Sequence, residues 1–455
     1  MYVLLIACYV FYMSWKPVYG LLMFMLTLTN YIFGLLIAQS KAQRRLFLVV
    51  AIAVNLLTLA YFKYTYFAHD LAEAIGGQVG VRVPSIGWTI ILPLGISFFV
   101  FEFIHYVSDV YKGSPPVRSF KEFALFASFF PTQIAGPIKR YQDFIPQVTN
   151  PVRPDLPAVE KGLYLIVGGL LRKVLFADYL AVVVHSAFEH PELLSGVDLW
   201  LAVYAFAFQI YFDFSAYTDI ARGSALLLGF KVPENFNLPY LAGSISDFWR
   251  RWHISLSTWL RDYLFIPLGG SRSSTWLNYR NLAITMILGG IWHGAAAHFA
   301  IWGAYQGTLL ILNKEFQRLA QRLSFLERIR ETKLFHVFSV VLTFHMVCIG
   351  WVFFRAQTLA GAWLIIKKLL FLPQLSEATN LFSLSIINTT ESTIFLILPV
   401  MLTLLFLGQL LALLHKRWPE YRLPRIVQGF GLALAVCLLI VLSPDYAPRF
   451  IYFQF

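Results

Sequence analysis

Long apolar runs alternate along the whole chain with short polar intervals, many of them basic. A helix needs about 20 mostly apolar residues to cross a bilayer. On that measure the pattern predicts spans at 2–14, 17–39, 46–62, 88–110, 162–187, 198–214, 281–293, 295–313, 335–354, 392–414 and 426–443. The runs at 2–14 and 281–293 are short for the task.

The intervals carry independent information. Lys41, Arg44 and Arg45 follow the second run, and Lys112, Arg118 and Lys121 follow the fourth. Residues 314–333 hold Lys314, Arg318, Arg322, Arg328, Arg330 and Lys333, and 415–425 holds Lys416, Arg417, Arg422 and Arg425. Basic loops favour the cytoplasmic side. The interval 189–197 has Glu189 and Glu192 without Lys or Arg and falls on the opposite side, as does the nearly neutral 63–87. The alternation closes with an internal N-terminus and an external C-terminus. Its one exception is 355–391, where Lys367 and Lys368 face outward; Leu359–Leu370 there reads as an interfacial amphipathic helix.

Three segments depart from the spanning pattern. Residues 122–140 (EFALFASFFPTQIAGPIKR) are broken by Pro131, Gly136 and Pro137, and 213–240 is similarly interrupted. Both read as re-entrant, because irregular backbone at membrane depth survives only where protein or a water-filled cavity covers it. In 246–263, Phe248, Trp252, Leu256, Trp259 and Tyr263 recur at helical spacing, with Arg250, Arg251, Ser257 and Arg261 opposite. This predicts one helix at the cytoplasmic interface, N-capped by Ser246 with Asp247 in its first turn and ended by Pro267–Gly270.

Composition agrees with lipid as the solvent: of 455 residues 58% are hydrophobic and only 13% charged, about half the charge of a soluble domain. The net charge of +12 is accounted for by basic loops and calls for no nucleic acid. Cys8, Cys348 and Cys437 lie in apolar runs without ligand spacing and read as core residues, neither disulfide nor metal site. The N-terminal MYVLLIACYVFYMSWKP lacks a basic region and a cleavage site and reads as a retained first span. There is no internal repeat, and residues 1–455 read as a single domain.

Among ten histidines, His69, His190, His336 and His415 fall in or beside loops, and His105, His185 and His345 read as structural. His298 lies five residues beyond His293, off its helical face. His293 ends the run ILGGIW and precedes Gly294 and two alanines, with Gly289 and Gly290 one turn earlier to admit another backbone or a substrate. An ionisable group at membrane depth marks a candidate site. No nucleophile elbow, Walker loop, HExxH or CxxC is present. What remains is histidine as a general base on a hydroxyl, with a thioester donor needing only position and a place for oxyanion charge. Trp292, Arg250 and Arg251 are candidate donors to that charge. The residues alone leave a channel or carrier open beside this chemistry.

FFPTQIAGPIKRYQDF (129–144), DFSAYTDIARGSALLLGF (213–230), ENFNLPY (234–240), SISDFWRRWHISLSTWLRDYLFIPLGGSR (244–272) and GGIWHGAAAHFAIWGAYQG (289–307) together resemble the membrane-bound O-acyltransferase (MBOAT) family, in its bacterial alginate O-acetyltransferase branch. The likeness covers about 90–310. It implies an all-α integral membrane fold of about 11 spanning helices, with re-entrant and interfacial helices around a funnel or tunnel. It further implies a catalytic role for His293 and a supporting one for His253, with Asp213, Asn235 and Arg250 at matching polar positions. The resemblance also implies a multi-pass protein of the bacterial inner membrane with no bound cofactor. Such a protein passes acetyl groups from acetyl-CoA or an acyl carrier toward a periplasmic SGNH-type partner in a polysaccharide biosynthesis complex, for O-acetylation of an exopolysaccharide such as alginate. Ala216 stands where the branch has glycine and Gln306 where histidine is common, which leaves the acceptor open. D-alanyl, peptidoglycan or cellulose acyl transfer are alternatives on the same fold; a non-catalytic transporter or flippase and a scaffold are alternatives of another class. The loop pattern separates the pair, with a donor mouth near His253 and reaction at His293.

Overall fold

The computed structural model describes residues 1–371, 425–441 and 450, and every regular element among them is helical. The expected span 392–414, His415, most of the basic interval 415–425 and the end of 426–443 lie outside the described residues. The first helices are α1 (Tyr2–Met13), α2 (Pro17–Gln39), α3 (Arg44–Val79) and α4 (Ile96–Tyr111). Then come α5 (Phe120–Ser128), α6 (Phe130–Gln133), α7 (Tyr141–Thr149), α8 (Leu156–Leu171), α9 (Asp178–Glu189) and α10 (Gly196–Leu227). The site follows on α11 (Ile245–Arg251), α12 (Ile254–Leu260), α13 (Thr275–His293) and α14 (Ala297–Arg322), and the remainder is α15 (Ser324–Arg330), α16 (Lys333–Arg355), α17 (Leu359–Leu370) and α18 (Arg425–Val441). Among the described residues α2, α3, α10 and α16 are long and apolar enough to cross a bilayer. The others are shorter, interrupted or more polar.

Helix α3 runs well past the expected end at residue 62. Its 36 residues correspond to about 54 Å at 1.5 Å per residue, longer than a hydrocarbon core of about 30 Å. The neutral stretch after residue 62 is therefore helix up to Gly80, whose left-handed φ of 72° ends it. The expected span at 88–110 starts only at Ile96. Gly95 precedes it with φ of 68°, and a Cβ there would lie 2.2 Å from the Gln133 carbonyl oxygen, so the turn requires glycine.

The segment 213–240 is not re-entrant throughout: residues up to Leu227 continue α10. Its polar residues interrupt hydropathy without interrupting the helix, because their partners stand on the adjoining element. Arg172–Ala177 forms a π-helical turn after α8, and π-turns often mark functional sites. From it Arg172 meets Asp219 at 2.6 Å, and Lys173 meets Asp213 at 3.0 Å and Asp178 at 2.6 Å. The break comes at Gly229, φ 84°. The segment 122–140 is broken as expected, into α5, α6 and irregular chain to Arg140. Its backbone is covered by protein: Lys139 N donates to the Glu102 carboxylate at 3.3 Å and Ile138 N to Ser255 Oγ at 3.1 Å. Lys139 Nζ and Glu102 form a buried ion pair at 2.7 Å.

Helix α17 has the expected bounds and buries Ala362, Ile365, Ile366 and Leu369. Lys368, one of the two lysines at the apparent exception to the charge pattern, donates to the carbonyls of Pro191, Glu192 and Leu194 at 3.0, 2.8 and 2.8 Å. It is spent on closing a loop. Cys8 and Cys348 are core residues; Cys437 is exposed on α18, contrary to its expected burial.

Candidate active site

Where one helix was expected over 246–263, the structure has two. The first, α11, is N-capped by Ser244, whose side chain accepts from Asp247 N at 3.2 Å. Ser246, the expected cap, instead accepts from Asn313 Nδ2 at 2.8 Å. The chain breaks at Trp252–His253, and His253 takes the left-handed conformation, φ 42° and ψ 56°, uncommon for a residue with a Cβ. Both sides of the break are clamped. Asn237 N donates to the Arg251 carbonyl at 3.0 Å, and Ile254 N to the Asn235 carbonyl at 3.0 Å. The Asn235 side-chain oxygen accepts from Ser255 N at 3.1 Å and Ser255 Oγ at 2.6 Å. Asn235 is fully buried. Its place is thus beside His253, holding the turn that carries it. The tryptophan face is directed into protein: Phe248, Trp252, Leu256 and Trp259 are all buried.

His293 closes α13. Gly294 ends the helix in extended conformation, φ −161°, and a Cβ on it would lie 2.0 Å from the Phe299 ring. Helices α13 and α14 touch backbone to backbone. A Cβ on Gly290 would meet the Phe299 carbonyl oxygen at 2.2 Å, and one on Gly303 the Met286 carbonyl oxygen at 2.3 Å. The expected close approach at Gly290 is therefore that of a neighbouring helix. Gly289 faces the Leu260 side chain, 3.2 Å from such a Cβ.

Around His293 the walls are aromatic. Its ring meets Trp292, Trp302 and Phe354 edge-on at 4.9, 5.2 and 5.2 Å between centroids. Trp292 stacks on Phe101 at 5.0 Å, and Phe101 on Trp259 at 3.8 Å. The Trp292 indole also lies 6.5 Å from the His253 ring, and Phe98 packs against both His253 and Trp292. The buried Trp292 Nε1 has no hydrogen-bond partner among the described residues. It is a donor beside His293 with nothing in the described fold to receive it.

A cavity of about 520 Å³ reaches this point, lined by His293, Trp292, Lys63, Trp15, Phe98 and the chain at Ile91–Ser97. A second, more polar cavity of about 260 Å³ adjoins Asn235, between Arg172, Thr218, Asp219 and Arg222. The separation of the pair expected from the loop pattern is therefore small in space, since one indole serves as neighbour to both histidines. Of the other candidate residues, Asp213 is bound to Lys173, while the following Phe214 ring packs on His253 at 4.7 Å. Arg251 pairs with Asp247 at 2.9 Å, and the Arg250 side chain is 74% exposed. Neither arginine joins the aromatic cluster.

Four of the other histidines have partners of their own. His298 Nδ1 meets the Phe353 carbonyl at 3.0 Å, His345 bonds Tyr204 Oη at 2.8 Å, and His105 accepts from Tyr141 N at 3.4 Å. His69, expected in a loop, lies on α3 and meets the Pro84 carbonyl at 2.9 Å. With Asp70 and Glu73 it brings three ligand atoms within 4.8 Å of one another, on an exposed turn where no second feature points to an ion.

The sequence reading missed the contribution of α3. Lys63 Nζ donates to the carbonyls of Trp292 and His293 at 2.5 and 2.9 Å, and Tyr64 Oη to that of Ile291 at 2.8 Å. The signal was a lone lysine in NLLTLAYFKYTYF, and an ionisable residue in such a setting is itself a candidate.

A family profile described as "MBOAT, membrane-bound O-acyltransferase family" matches residues 117–354, which include both histidines. The chain is 43% identical over 366 residues to the "Probable alginate O-acetylase AlgI" of Azotobacter vinelandii, covering 79% of this chain and 70% of that protein. It is 35% identical to the "Peptidoglycan O-acetyltransferase" of Helicobacter pylori (80% and 72% covered) and 31% identical to the "Teichoic acid D-alanyltransferase" of Bacillus subtilis (58% and 69%).

Proposed function

From the premise that this chain belongs to the membrane-bound O-acyltransferase family, we propose that it moves an acetyl group from a cytoplasmic thioester to the outer face of the membrane, for O-acetylation of an exopolysaccharide such as alginate. It is a multi-pass membrane protein and an acyltransferase. The finer reading gives it about eleven crossings of a bacterial inner membrane, acetyl-CoA or an acyl carrier as donor, and a periplasmic SGNH-type protein as the next acceptor.

The observation that carries the reading is His293 lining a cavity beside an indole N–H that has no partner among the described residues. The chemistry is then simple. The His293 imidazole takes the proton of the acceptor hydroxyl, and the oxygen attacks the thioester carbonyl. Charge on the carbonyl oxygen is received by a donor such as Trp292 Nε1. As the C–S bond breaks, the imidazolium returns the proton to the departing sulfur. His253, against the same indole, and Asn235, clamping its turn, hold this wall in place. The cavity by Lys63 reaches His293 and supplies one approach to it, and the polar cavity adjoins Asn235, whose side chain holds the turn that carries His253.

The relative named a peptidoglycan O-acetyltransferase favours a second acceptor, and the one named a D-alanyltransferase a second acyl group. The deciding experiment compares wild type with His293→Ala in cells and in vesicles. The reading requires loss of surface acetylation and of thioester cleavage at unchanged membrane abundance, and the mass added to the acceptor identifies the group. Undiminished acetylation in the variant refutes it.

A further inference from the structure

We infer that Lys63 is a positioning residue for His293, fixing from α3 the helix end that carries the imidazole. The last carbonyls of a helix have no partner within it, and their summed dipole favours a cation there. At α13 these carbonyls are part-buried, where an unpaired polar group carries a cost. The three final carbonyls, of Ile291, Trp292 and His293, are all taken by two successive side chains of one other helix, Tyr64 and Lys63. Gly294 leaves the helix at once, so no further turn helps to hold the ring. The ammonium also stands 5.8 Å from the centre of the Trp292 ring, within cation–π range, and fixes both members of the Trp292–His293 pair. Lys63 lies outside the span matched by the family profile, 117–354. The catalytic helix is thus held by a part of the chain that the profile does not cover.

Lys63 lies 19 residues after Arg44 on α3, about 28 Å along a helix. If Arg44 marks the cytoplasmic end, the lysine belongs near the outer end of the crossing. Two of its three N–H donors are used on carbonyls, which ties its place to the helix end. A displacement of about 1 Å in a reacting group lowers turnover by as much as ~10²-fold, so loosening this end registers in kcat.

The activity arm rests on the acyl-transfer reading; the exchange arm does not. In vesicles supplied with acetyl-CoA, Lys63→Met is expected to lower kcat at least ~10-fold with the donor KM within about twofold, and Lys63→Arg to recover most of the loss. Amide hydrogen exchange should accelerate in Lys63→Met over residues 286–299 and stay unchanged in α10. Lys63→Gln, retaining one donor group, should be intermediate in both and serves where the methionine variant does not accumulate. Turnover within twofold of wild type, or a loss of turnover with unaltered exchange at 286–299, overturns the inference. A wild-type protein inert toward acetyl-CoA counts against the donor reading alone, and the exchange comparison still decides the role of Lys63.

Discussion

The indole of Trp292 lies 6.5 Å from the ring of His253, centroid to centroid, while sharing an edge contact with the adjacent His293. Two histidines forty residues apart in sequence are thereby part of one aromatic wall. The indole presents an N–H without a partner among the described residues. Trp292→Phe keeps an aromatic ring against Phe101 and removes that donor together with part of the indole's bulk. Losing one oxyanion donor costs ~10²–10³-fold in turnover, and a loss of that order is expected, with membrane abundance unchanged. Steady-state rates in vesicles check it, and full activity removes Trp292 from the chemistry.

Asn235 acts on His253 through the backbone. Asn235→Ala removes the acceptor for both donors of Ser255 and leaves a part-buried N–H without it, at about 1 kcal/mol. A lower melting temperature and reduced turnover are expected together. Ser255→Ala removes one of these bonds and the acceptor for Ile138 N, and should lie between wild type and Asn235→Ala.

The pair Lys139–Glu102 is buried on both sides. Removing one partner leaves an isolated charge, at about 3–5 kcal/mol, whereas apolar replacement of both is often close to neutral. Glu102→Met and Lys139→Met should each lower thermal stability markedly, and the double variant should recover most of it. Additive losses in a thermal-unfolding cycle contradict this.

Gly303 lets α13 and α14 meet at the backbone. Gly303→Ala places a Cβ 2.3 Å from the Met286 carbonyl oxygen, and relief requires the helices to part. Overpacking of this kind costs about 1–3 kcal/mol, so a lowered melting temperature with a smaller yield of folded protein is expected. Gly168→Ala, with nothing within 4 Å, is the control that should be silent.

Much of this was legible in the chain. Hydropathy gave the long helices α2, α10 and α16 to within a few residues or by their first half, because a helix long enough to cross a bilayer shows its length in apolar residues. The broken segment at 122–140 was legible from Pro131, Gly136 and Pro137 for the same local reason, and His293 stood out as an ionisable residue ending an apolar run. The continuation of α10 past Asp213 was not legible. Its charges look like an interruption until Arg172 and Lys173 are placed across from them.

What the sequence by itself determined, then, was the class of solvent, the places where helices form and the residue types from which a site could be built. These follow from local hydropathy, glycine and proline, which act over one or two turns. The tertiary structure alone decided that His253 sits in a left-handed break clamped by Asn235, that Trp292 adjoins both histidines, and that Lys63 caps the helix ending in His293. The pairs Asn235–His253, His253–Trp292 and Lys63–His293 join residues separated by 18 to 230 positions. Buried carbonyls and amides must find partners wherever the packed helices bring them, and no periodicity along the chain encodes which partner that is.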